Sequence, residues 1–86
     1  MYNFVVDEEM IVLINKLGKI CVESQYTDVS VHMMQRVLGI GFTRASRLIK
    51  ELVRMGYLTN KRRDKSSLVF IYKVNYSKFL LLLTMN

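Results

Sequence analysis

Apolar residues recur at three- and four-residue intervals up to Gly56 and at every second residue after it, so the chain reads as helices followed by strands. Met10, Leu13, Ile14, Leu17, Ile20 and Cys21 predict a first amphipathic helix, with Asp7 as its N-cap and Glu8 and Glu9 against the positive end of its dipole. Gly18 interrupts that stripe at a cost of about 1 kcal/mol relative to Ala. The helix is expected to fray near Glu23 or Ser24. Residues 25–29 lose the helical period, and Tyr26 and Thr27 favour extended backbone there. Ser30 then caps a second helix with Val31, Met34 and Leu38 inward. Gly39 and Gly41 flank Ile40, an apolar plug in a turn where a β-carbon is disfavoured. A third helix follows with Ala45, Leu48, Ile49, Leu52 and Val53 inward, Met55 near its end and Gly56 as its C-cap.

Tyr57 to Thr59 and Leu68 to Val74 are rich in β-branched and aromatic residues and predict a hairpin. Its connection, Asn60 to Ser67, carries Lys61, Arg62, Arg63 and Lys65 against Asp64 alone. Asn75 caps a last helix, Tyr76 to Met85, whose Phe79 to Leu83 run is apolar on every side. One face of it is expected to close the core. The other, through Phe79, Leu80, Leu82 and Leu83, is expected to contact a second copy of the chain, the alternatives being further core packing or a touch on a membrane surface. The predicted architecture is mainly α with a small β-hairpin: a winged helix-turn-helix with an extra C-terminal helix, forming one domain over residues 1–86.

Charge gives this layout a direction. Residues 1–29 hold two Lys against five acids, a sum of −3, whereas residues 30–86 hold eleven Lys or Arg against two acids, a sum of +9. That asymmetry attracts a polyanion to one side of the molecule. With 51% hydrophobic residues the chain is richer in apolar side chains than a single domain of 86 residues needs, which also points to a partner.

The outward face of the third helix gathers Thr43, Arg44, Ser46, Arg47 and Lys50, side chains that reach base edges and phosphates from a major groove. Thr43, Arg44, Arg47 and Lys50 are the expected base readers. Gln35, Arg36, Ser46 and Arg54, with Lys61, Arg62, Arg63 and Lys65 of the wing, are the expected contacts to the DNA backbone. Tyr26, Phe42, Tyr57, Phe70 and Tyr72 alternate with aliphatic residues and read as core and sheet packing rather than base-stacking platforms. Met33 and Met34 read as core filler.

Ser30 to Leu58 resembles the γ domain of the FtsK and SpoIIIE DNA translocases, through Gln35-Arg36, Leu38, Ile40-Gly41, an aromatic at Phe42, Arg44-Ala45, Arg47-Leu48-Ile49 and Gly56. The resemblance implies a winged helix that binds short polar DNA sequences, with base-reading positions on Thr43, Arg47 and Lys50. Two of those depart from the family, which usually has Asn in place of Thr43 and Glu in place of Lys50. A carboxylate accepts from cytosine whereas an ammonium donates to guanine or phosphate, so the family's target sequence does not transfer. The chain has no G-x-x-x-x-G-K-[ST] loop and so no translocase motor of its own.

Catalysis and cofactors find no support in the residue pattern. The single His32 opens a helix, Cys21 is the only cysteine, and no triad, acid–base pair or metal set is spaced along the chain. The expected function is non-enzymatic and cofactor-free: sequence-specific binding of double-stranded DNA by a homodimer, as a plasmid or phage centromere-binding adaptor, similar to TubR-like partition proteins, or as a transcriptional repressor. A filament-forming NTPase or a recombinase is the corresponding protein partner. The alternative is a winged helix that docks onto a recombinase or other protein without reading DNA. No apolar run is long enough to span a bilayer, and the expected location is the cytoplasm, at the nucleoid or a plasmid.

Overall fold

Two polar caps set the helix boundaries of the observed fold. Ser30 Oγ accepts from Met33 N at 3.2 Å and Asn75 Oδ1 accepts from Lys78 N at 3.3 Å, each satisfying an amide that its helix leaves unpaired. The computed structural model describes residues 8–66 and 69–85, so Asp7 and Leu68 lie outside the described residues. Along the chain run α1 (Glu8–Ser24), β1 (Asp28–Val29), α2 (Val31–Leu38), α3 (Phe42–Arg54), β2 (Leu58–Arg63), β3 (Phe70–Val74) and α4 (Tyr76–Thr84). Four helices and a small antiparallel sheet make a winged helix-turn-helix with a further C-terminal helix.

The sheet has three strands, in the order β1-β3-β2, rather than the two of the expected hairpin. β1 is only two residues long, and β3 supplies its partners, Asp28 opposite Lys73 and Val29 opposite Tyr72. β2 also continues through Asn60, Lys61, Arg62 and Arg63, which the sequence assigned to the connection. The pairing shifts by one residue between Thr59 and Arg62, and Asn60 sits there at φ 50, in the left-handed region that Asn tolerates better than most residues. This bulge turns the far half of β2 relative to its base.

Leu17, Cys21, Met34, Leu48, Leu52, Leu58 and Phe79 form the fully enclosed centre of the core. α4 runs antiparallel to α1. A β-carbon on Gly18 would lie 2.8 Å from Phe79 Cδ1, so the glycine that weakened the α1 pattern is the seat of the Phe79 ring. Tyr57 meets that ring at a centroid distance of 4.8 Å, and Tyr76 Oη donates to the Cys21 carbonyl at 2.9 Å. Burying Phe79 contributes about 1.5–3 kcal/mol. It is therefore core, and not the partner contact expected of it. Leu82 and Leu83 are half-buried, whereas Leu80 and Leu81 are exposed.

Candidate nucleic-acid interface

The turn between α2 and α3 owes its shape to one glycine. Gly39 adopts φ 65 and its amide donates to the Gln35 carbonyl, ending α2 in the left-handed conformation that a β-carbon disfavours. Gly41 has an ordinary extended conformation at φ −77 as the N-cap of α3, so the second glycine is not required by its φ. Ile40 lies half-buried between them and packs on the core.

Ala45, Leu48, Ile49 and Leu52 are the buried side of α3. Opposite them Thr43, Arg47, Lys50 and Arg54 are exposed in one line at spacings of four, three and four residues, which stacks them along a single face. Ser46 is half-buried at its margin. Val53, expected inward, is 42% exposed because it falls outside the arc centred on Leu48 and Leu52. Phe42, expected in the core, is 59% exposed at the first turn of α3. Gln35 is half-buried and Arg36 exposed at the end of α2, next to the turn.

The basic residues of α3 are not equivalent. Arg44 forms an ion pair with Glu9 of α1 and borders, with Arg47, a 30 Å³ cleft that also touches Met10 and Leu13. Arg54 holds Glu51 through Nη2 at 2.7 Å and Nε at 3.1 Å. Among the described residues Arg47 and Lys50 form no ion pair, whereas Arg44 and Arg54 each do.

The wing divides its cations between two faces. On the outer face Arg62 Nη2 donates to Asp28 Oδ1 at 2.6 Å, reaching across β3. On the inner face, which carries the helix layer, Lys61 Nζ lies 4.3 Å and Arg63 Cζ 5.0 Å from the Phe70 ring centroid. Phe70 is 41% exposed, beyond the edge of the core in which the sequence placed it. Lys65 is exposed in the turn, where Asp64 accepts from Ser66 Oγ at 3.0 Å.

Burial pushes the Cys21 thiol up to about 11, so it stays protonated within the α1–α4 seam. Among the described residues no group of His, Cys, Asp and Glu is arranged to hold a metal ion, and no helix is long and apolar enough to cross a membrane.

The model of the FtsK gamma domain matches residues 12–71, from within α1 to β3, which is more than half of the chain. The chain belongs to the FtsK gamma domain family. The match includes the helix-turn-helix and β2, ends two residues into β3 and does not reach α4. A comparison with the curated proteins gave no match. Among solved structures the chain is similar to the heme sensor protein PefR from Streptococcus agalactiae in complex with heme, with a TM-score of 0.66 and 18% identity over 91% of this chain. It spans 57% of that protein's chain, and the likeness is one of fold. As an FtsK gamma domain with an intact helix-turn-helix and wing, this is a DNA-binding winged-helix protein.

Proposed function

We propose that this FtsK gamma domain binds double-stranded DNA sequence-specifically, as a dimer, in plasmid or phage partition or as a transcriptional repressor. The observation that carries the reading is the line of Thr43, Arg47 and Lys50, exposed opposite the buried Leu48 and Leu52, with neither Arg47 nor Lys50 engaged in an ion pair among the described residues. α3 enters the major groove with these three toward base edges. Arg44, drawn to the flank by Glu9, and Arg54, held by Glu51, belong with the phosphate contacts, as do Gln35, Arg36 and Ser46.

Leu80, Leu81 and Met85 of the α4 end are exposed without an intervening charge, and so are Ile11 and Val12 of α1, the helix against which α4 packs. A second copy supplies an equal apolar patch, which a twofold contact makes self-complementary. A protomer of 36 × 32 × 23 Å has the dimensions to set two recognition helices about 34 Å apart, one turn of DNA. A filament-forming NTPase as reader of the bound DNA accompanies the partition role.

Selection of bound fragments from genomic DNA gives the test its duplex. Clustered repeats support partition, and a single palindrome at a promoter supports repression. On the selected site Arg47→Ala is expected to lower affinity by about 1–3 kcal/mol, with little change on a scrambled duplex. Equal losses on both duplexes would make Arg47 a phosphate contact, and no loss on either would remove α3 from the interface.

A further inference from the structure

Two cations share one aromatic ring on the wing. Lys61 and Arg63 are two residues apart on β2 and both lie over Phe70, which pairs directly with Arg63 across the strands. The ring's negative face attracts each of them, within the roughly 6 Å over which such contacts act. They repel each other, and Asp28, the acid of β1, is on the opposite face, where it holds Arg62. The one-residue shift at Asn60 is what turns Lys61 and Arg63 onto the inner face.

We propose that Phe70 is a positioning residue that holds Lys61 and Arg63 as a two-point clamp for the DNA phosphodiester backbone. The clamp deepens the reading of the wing as a backbone contact and rests on it. Phosphate between the two cations relieves their repulsion, and the half-exposed ring edge lies against sugar. A lysine and an arginine on free stems lose rotamer freedom when they grip phosphate, and the ring removes part of that loss before DNA arrives. Arg62, paired on the outer face, is no part of the clamp.

The test is a double-mutant cycle on duplex DNA, read as affinity and as the slope of log K against log salt. K61S/R63S is expected to flatten the slope by about 1.8, two phosphates at about 0.9 each, and R62S to leave it nearly unchanged. Phe70→Leu, which keeps apolar volume but no ring, is expected to weaken binding about three- to tenfold in the wild-type background and not at all in K61S/R63S. Phe70→Tyr restores the wild-type value. Should Phe70→Leu melt below the assay temperature, Phe70→Met takes its place in the same cycle. A ring deletion that costs nothing, or that costs the same in both backgrounds, overturns the clamp and leaves the wing reading standing. An unchanged salt slope in K61S/R63S overturns the wing reading itself, and the clamp with it.

Discussion

α3 and α4 both lean on the same core, and they differ in what they turn outward. α3 buries Ala45, Leu48, Ile49 and Leu52 and shows water Thr43, Arg47, Lys50 and Arg54. α4 encloses Phe79 and shows water Leu80 and Leu81, followed by Met85 at 76% exposure. A basic face is well solvated alone and gains a salt-dependent attraction when a polyanion arrives. An apolar face is poorly solvated alone and gains from any cover, nearly independently of salt. The two helices therefore separate two associations by their physics, and a substitution on one outer face is expected to leave the other's chemistry intact.

The inner side of α4 offers the severest way to break the comparison. Phe79→Ala removes a fully buried ring that spans Gly18 of α1 and Tyr57 ahead of β2, and is expected to lower stability by about 3–5 kcal/mol in urea unfolding. Leu81→Ala, at 60% exposure in the protomer, is expected to stay within about 0.5 kcal/mol of wild type when unfolding is followed at concentrations low enough for both to be monomeric. Comparable losses from both would mean that α4 has no free side.

Next in size is the effect of charging that free side. Leu81→Glu is expected to give a folded monomer by light scattering and circular dichroism, with DNA affinity about a hundredfold lower because the second recognition helix is no longer tethered to the first. A wild-type protein already monomeric at micromolar concentration would end the dimer reading and leave the α4 face without a role in DNA binding.

α1, α2 and α3 were legible in the sequence because each has an apolar period set against a polar side, and α4, apolar all round, was legible from its cap: Ser30, Gly39 and Asn75 mark helix boundaries as capping chemistry requires. The wing was less legible, for a physical reason. Lys61, Arg62 and Arg63 are solvated on both faces of the sheet, so β2 shows no apolar alternation past Leu58 and reads as loop. β1, two residues long, is a strand only because β3 pairs with it. Phe70 and Phe42 carry core-type side chains at the ends of their elements, where the core has run out, and residue type alone does not show that. The recognition face was legible because charge and helical period select the same residues. The ion pairs that divide its arginines, Arg44 with Glu9 and Arg54 with Glu51, were not: the first joins two helices far apart in sequence, and the second is one of several spacings a helix permits.

The smallest expected effect sharpens the comparison from the α3 side. Glu51 is the acid that holds Arg54 at the end of the basic line, in a pair whose arginine is half exposed to solvent. Such pairs contribute about 0.2–1 kcal/mol to stability, so Glu51→Gln is expected to shift the unfolding free energy by no more than that. Its effect on DNA is of the opposite sign. Without the carboxylate a negative charge is removed from beside Arg54 and from the interface, so affinity is expected to rise a few-fold. The slope of log K against log salt is expected to steepen by up to about 0.9. A variant that loses stability without gaining affinity would show that Glu51 secures the helix end rather than restraining Arg54. A gain in affinity at unchanged stability would establish that the outer face of α3 is tuned for DNA separately from the fold beneath it.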